Sequence, residues 1–354
     1  MLTYDRTGML REAVESVLGQ TYKNLELVLI NNAGFSTTVE VVHELERRDP
    51  RIRVIHFNEN QYRGENPAKN MVQVCYNAAL AAARGTYVFY LQDDDAIALD
   101  YVEKMVRLFQ ENPECTSAAG MPVAIDEHSR EIVGRFDGKN IRPRYMAGHE
   151  LVLDYLHGGQ AFAAPGTIFT LPRALLVRAG GYHAAVEWGQ RLGIVAFGMT
   201  GFDATARCYW RYHEGQLHRA EAARGELGIG DIFDLFSSRD IERRWRETFG
   251  DQSTRAVKRI IIKRLERTAA NWVLVNFFAG RWRAVGKIAR DSEYRLGFWL
   301  ALPPAVSRYV RVNTRAMVSR TCKPGVRWIV SRLPAPMKNF YLVVRLRDRL
   351  EIHV

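Results

Sequence analysis

Two hydrophobic periods alternate along the first 110 residues of the chain. In MLREAVESVLG, residues 9–19, apolar side chains recur at helical spacing, and Gly19 stands where a C-terminal cap belongs. NLELVLINN then reads as an apolar strand ending at Asn31 and Asn32. A helix over 38–48 and a strand within 51–57, around IRVIHF, repeat the alternation. The polar loop NENQYRGENP leads to a small-residue helix over 68–84 that stops at Gly85, and a strand over 87–91 completes the series. This order predicts an α/β fold with a mostly parallel, twisted sheet and crossover helices. Such a sheet normally opens on a strand, yet only residues 2–4 precede the first helix. The first strand is therefore expected to be truncated, or replaced by another segment.

The last strand of the series, in YVFYLQDDD, delivers Asp93, Asp94 and Asp95 to its carboxyl end. Open α/β sheets bind ligands at that edge, and three hard oxygen donors there suit a divalent cation and a phosphorylated substrate. The competing reading is that the aspartates cap the next helix. Asp100 with Glu103 already forms a capping-box signature just before YVEKMVRLF, so the triplet is not needed for that task.

Charge divides the chain in a way its net +11 conceals. From Arg255 onward 22 lysines and arginines face 5 acidic residues, whereas 28 face 34 before it. A basic C-terminal third calls for a polyanionic partner such as a membrane surface or nucleic acid. Tryptophan, phenylalanine and leucine interleave with the basic residues in NWVLVNFFAGRWRAVGKIAR and GFWLALPPAVSRYVRVNTRAMVSR. That pattern fits either amphipathic helices lying in a membrane interface or a helical domain with a basic outer face. Nucleic acid is disfavoured because no binding motif accompanies the charge. Met1 is followed by LTYDRTGM, so no signal peptide is expected, and no apolar stretch reaches the roughly 20 residues of a membrane span. Four widely spaced cysteines offer no zinc or disulfide spacing, and the remaining histidines show no metal motif. A cytoplasmic protein, with the possibility of a peripheral place on the inner face of the membrane, is the expectation.

Several segments together resemble the nucleotide-sugar-dependent glycosyltransferases of family 2, which have the GT-A fold. They are TYDRTGMLREAVESVLGQTYKNLELVLINNAG, YNAALAAARGTYVFYLQDDD, the strand, helix and Gly-Gly turn of GTIFTLPRALLVRAGG, and CYWRYHEGQLHR. The resemblance implies a catalytic domain over 1–222, with a nucleotide-sugar half of about 1–125 and an acceptor half of about 126–222. Residues 223–354 would form a basic helical region. Thr3, Tyr4 and Asp5 would lie near the nucleotide, with Asn31 at the strand end where family members usually carry a base-binding aspartate, and Asn32 beside it. Asp94 would be the principal ligand of Mg²⁺ or Mn²⁺, Asp95 its support, and Asp93 would face the ribose or phosphate. Arg211 and His213 match an R-x-H that approaches the diphosphate or the metal. Glu187 stands closest to the general-base position and is otherwise a solvated helix residue; Asp203 is the reserve.

The function these features imply is metal-dependent, inverting transfer of a sugar from a nucleoside diphosphate to a hydroxyl of a glycan or lipid-linked acceptor. The alternatives are a catalytically impaired, membrane-associated scaffold and a nucleotidyltransferase. The second would need a basic glycine loop after the first strand, which LTYDRTGM lacks.

Overall fold

The computed structural model describes residues 1–64, 67–133, 143–156, 169–182, 186–216, 223–224, 236, 239–278 and 280–291. They fall into two compact units, Met1–His213 with Asp234–Val257 and Glu214–Phe233 with Lys258–Val354.

In the first unit, Leu2–Thr3 (β1), Leu27–Asn32 (β2) and Ile52–Phe57 (β3) form a parallel sheet in the order β1-β2-β3. All six residues of β2 are buried, as a continuous apolar run between covered faces requires. The short segment before the first helix thus does pair as a strand: Leu2 lies opposite Ile30, and Thr3 opposite Asn31. Helix α1 (Thr7–Leu18) buries Leu10, Ala13, Val14, Val17 and Leu18, the one-face spacing read from its sequence. Helix α2 (Ser36–Arg48) buries Thr38, Val42 and Leu45 in the same way. The small-residue helix is interrupted. Pro67–Met71 (α3) and Asn77–Ala82 (α4) flank a π-helical turn at Val72–Tyr76, whose Val72, Cys75 and Tyr76 are buried.

Tyr87–Val88 (β4) opens the second sheet and is shorter than the expected 87–91. Its continuation reaches Gln92, which bridges in parallel to Leu2 and so joins the two sheets. Ala96–Ile97 (β5) and helix α5 (Tyr101–Glu111) follow, then Cys115–Ile125 (β6), Tyr145–Ala147 (β7), helix α6 (Gly148–Leu156), Phe169–Pro172 (β8), helices α7 (Arg173–Arg178) and α8 (Val186–Gly193), and Met199–Arg211 (β9). The order is β4-β8-β6-β9-β5, with β7 on β9. The long ladder, β6 on β9, is parallel, while the short strands β4, β5, β7 and β8 pair antiparallel.

The capping box expected at α5 does not form. Asp100 makes no side-chain cap and instead pairs with Lys104 at 2.6 Å. Glu103 accepts from Thr21 Oγ1 at 2.7 Å. The amide of Val102 is satisfied from afar by Gln20 Oε1 at 2.9 Å, and the same buried side chain donates to Ala98 O at 2.7 Å. The segment from Ser16 to Tyr22, SVLGQTY, is therefore a fastener between α1, β5 and α5. A buried helix start takes whichever acceptor is brought to it.

Helix α9 (Arg239–Phe278) breaks at Gly250, whose φ of 80° and ψ of 168° are not helical. Before the break, Trp245 packs against Phe197 and Phe249 with ring centroids 5.8 and 5.0 Å away. In the second unit Ile261, Leu265, Ala269 and Val273 are buried, as are Ala284 and Ile288 of helix α10 (Trp282–Asp291). Among the described residues no helix is long and apolar enough to cross a membrane. The glycine loop at 225–230 and the segment from 292 lie outside the described residues.

Candidate active site

The three aspartates sit in a turn, with Asp95 N donating to Gln92 O at 3.3 Å, and all three are buried. Strand β5 separates them from α5, so they do not cap that helix. Buried carboxylates need compensating charge or donors. From the loop before α1, Arg6 Nη1 reaches Asp93 Oδ1 at 3.0 Å and Asp94 Oδ2 at 2.8 Å. His213 Nε2 lies 3.0 Å from the same Asp94 Oδ2.

Arg211, 1% exposed, locks the other side. Its backbone N–H donates to Asp95 Oδ1 at 3.0 Å and its Nε to Asp94 O at 2.7 Å. Nη1 donates to Ser129 Oγ at 2.8 Å, and Nη2 lies 2.7 Å from Glu12 Oε2. The guanidinium thereby fixes the turn's backbone. Asp95, expected beside the metal, is likewise held by that backbone N–H.

Four carboxylates against two guanidiniums and one imidazole leave the cluster net negative. Oδ1 of Asp94 is buried and has no hydrogen-bond partner among the described residues. An orphaned carboxylate oxygen costs about 1 to 3 kcal/mol, which a coordinated cation would relieve. The carboxylate oxygens of the cluster fit Mg²⁺ or Mn²⁺. Asp93 is pushed up to about 6, chiefly by burial and further by Asp94, against the opposing pull of Arg6 and Thr3. Tyr76, in the π turn, packs its ring tilted against Tyr90 and Tyr182 at 5.2 and 5.7 Å, and burial beside Asp93 and Asp94 raises its phenol well above the usual range.

The expected nucleotide residues divide. Thr3 is buried beside Asp93, Tyr4 packs its ring 5.5 Å from the exposed Phe35, and Asp5 is exposed. Asn31 Oδ1 accepts from Gly34 N at 2.9 Å, while its Nδ2 faces His56 Nδ1 at 3.2 Å. A β-carbon at Gly34 would lie 2.3 Å from Tyr4 O, so only glycine allows the β2 exit to close on the β1 exit. Asn32 turns inward, accepting from Gln61 N at 2.8 Å and donating to Asn60 Oδ1 at 3.0 Å. It serves the 57–62 loop.

Asp203 is not brought to this cluster. It pairs at Gly120 whereas Arg211 pairs at Ile125, five residues along β6 and about 16 Å away. Burial raises its carboxyl, but the hydroxyl and N–H of Thr205, with Lys104 and Arg144, outweigh that and hold it below the usual range. Glu187 lies in α8, its side chain outside the described residues. Two site residues escaped the sequence reading. Arg6 directly follows the T-Y-D already singled out, and Glu12 looked like one more solvated charge on α1.

The strand ends that carry this buried, acidic cluster are where open α/β sheets bind their ligands. Residues 1–164 match the sequence model of Glycosyl transferase family 2. Over 112 residues the chain is 30% identical to a Haemophilus influenzae protein described as an uncharacterized glycosyltransferase, covering 32% of this chain and 41% of that one. Over 118 residues it is 27% identical to the putative teichuronic acid biosynthesis glycosyltransferase TuaG of Bacillus subtilis, covering 33% and 43%. The chain thus spans less than half the length of these relatives. Similar solved structures include S. aureus TarS 1–349 in complex with UDP-GlcNAc, at 13% identity and a TM-score of 0.48 over 84% of this chain and 88% of that one. Another is the mannosyltransferase PcManGT of Pyrobaculum calidifontis in complex with GDP-Man and Mn²⁺, at 15% identity and a TM-score of 0.48 over 99% and 86%.

Proposed function

We propose that this chain transfers a sugar from a nucleoside diphosphate donor to a hydroxyl of a glycan or lipid-linked acceptor in surface polysaccharide synthesis. The observation that carries the reading is the buried, net-negative cluster of Asp93, Asp94 and His213 at a strand end in the segment that matches family 2, with Asp94 Oδ1 unsatisfied among the described residues. Asp94 and His213 would hold Mg²⁺ or Mn²⁺, which when bound neutralises charge on the leaving diphosphate. Arg211 keeps the turn in shape, and Arg6, 25% exposed, is the cation positioned to shift from Asp94 toward phosphate oxygens. Asn31, Tyr4 and Asp5 would meet the base and ribose. Glu187 is the proposed base for a single, inverting displacement, an effect of about 10² to 10⁴ in rate. The catalytic domain is assigned to 1–222.

For the basic 223–354 region we propose contact with an anionic membrane surface on the cytoplasmic side. Trp282 is 60% exposed beside exposed Arg281, Arg283 and Lys287. Each basic residue near such a surface contributes about 1 kcal/mol. Salt-sensitive sedimentation with phosphatidylserine vesicles, and none with neutral ones, is the expected result.

Calorimetry with UDP-, GDP- and dTDP-sugars, with and without Mn²⁺, tests the catalytic reading. One donor class should bind in a metal-dependent manner that Asp94→Ala abolishes. If the folded protein binds none of them, the scaffold reading takes its place.

A further inference from the structure

Away from the aspartate cluster, the fold assembles a second set of metal-competent side chains that no sequence spacing shows. His43 and Glu46 lie one turn apart on α2, and His56 lies on β3. One donor atom from each falls within 4.8 Å of the others. The two imidazole rings are 4.8 Å apart, and Glu46 Oε2 is 3.9 Å from His43 Nδ1. We propose that His43, Glu46 and His56 form a divalent-cation site of the zinc class, with a fourth position open to solvent.

The donor chemistry selects the ion. Two imidazoles and one carboxylate suit Zn²⁺, Ni²⁺ or Cu²⁺, whereas Mg²⁺ prefers oxygen alone. Bonds of about 2.0 to 2.2 Å in a tetrahedron put donor atoms about 3.3 to 3.6 Å apart. Rotation of the exposed histidines by about 1 Å would close that gap. Glu46 is already anchored, its Oε1 accepting from Val54 N at 3.3 Å. A supporting hydrogen bond of this kind orients a ligand before the metal arrives.

His56 is held as well, but in a manner that tempers affinity. Gly34 N–H fixes Asn31 Oδ1 as its acceptor, so Asn31 Nδ2 points at His56 and donates to Nδ1. The ring proton of metal-free His56 is then on Nε2. A cation at Nδ1 displaces the Asn31 amide; a cation at Nε2 moves the proton to Nδ1 and sets donor against donor. Either way, loading breaks the Asn31–His56 bond. Micromolar rather than nanomolar affinity follows, and occupancy is felt at the β2 end.

The test is Zn²⁺ titration of the full chain by calorimetry, with His43→Ala, His56→Ala and Asp94→Ala variants and thermal melts to verify folding. One Zn²⁺ should bind with micromolar affinity, weakened at least tenfold by either histidine substitution and retained in Asp94→Ala. The histidines are exposed, so both variants should fold. Absence of micromolar binding in the parent protein overturns the proposal, as does an unchanged isotherm in either histidine variant.

Discussion

His213 Nε2 and Asp94 Oδ2 stand 3.0 Å apart although 119 residues separate them in the chain. Both are buried, and the second oxygen of Asp94 has no donor among the described residues. In the proposed transferase, Asp94→Ala should lower kcat by about 10² to 10³, the scale on which loss of one charge-stabilising group acts. His213→Ala should raise the Mn²⁺ concentration needed for half-maximal rate. A metal titration of initial rates reads both effects.

Arg211 holds Asp95 and the Asp94 carbonyl with its own backbone N–H and Nε. Removing a buried, paired charge leaves its partners exposed to each other. Arg211→Ala should therefore cost about 3 to 5 kcal/mol of stability, read as a fall in the denaturation midpoint. Arg211→Lys should recover only part of this, because an ammonium cannot reproduce the fork that serves the Asp94 carbonyl, Ser129 and Glu12 together.

Asp93 titrates near 6 in the folded chain because burial disfavours its charge. A carboxyl with a raised folded pKa binds its proton more tightly in the native state. Its contribution to stability is fully present below about pH 4 and is lost as pH rises through 6, a change on the order of 2 to 3 kcal/mol. In chelator, urea midpoints between pH 4 and 7 should slope downward with rising pH from this group. Asp93→Asn should flatten that slope; a variant with the parent's slope would place the titration elsewhere.

Gly181 has a φ of 83°, and a β-carbon there would lie 2.3 Å from Asn77 Oδ1. That oxygen accepts from Tyr182 N at 2.7 Å, and Asn77 Nδ2 donates to Tyr182 O at 3.0 Å. Gly181→Ala should destabilise by about 1 to 3 kcal/mol through backbone strain and the lost bracket. Asn77→Ala should cost about as much, and the pair should not be additive in a double-mutant cycle.

Helices α1, α2 and α5 and strand β2 were legible in the chain because their burial follows one local period, 3.6 or continuous apolar, and β3 because its apolar residues form a short run. The aspartate triplet was legible too, as charge at the end of an apolar run. What misled was reading local signatures as local contacts. Asp100 and Glu103 look like a capping box, yet Gln20 from another helix takes that place. Asp203 looks like a neighbour of the aspartate cluster, yet it pairs five residues along β6 from the Arg211 pairing. His43 and His56 look scattered, yet β3 packed against α2 stacks their rings.

By itself the sequence determined the match of residues 1–164 to the family 2 model, the alternating helices and strands, and the strand end that carries the acidic cluster. These are set by hydrophobic period and turn chemistry, which act over a few residues. Only the tertiary structure decided which partner each carboxylate receives: Arg6 for Asp93 and Asp94, the Arg211 backbone for Asp95, His213 for Asp94. Those pairings join residues 87 to 119 positions apart. A hydrogen bond is specified by separation within about 3 Å and by direction, and chain folding sets both.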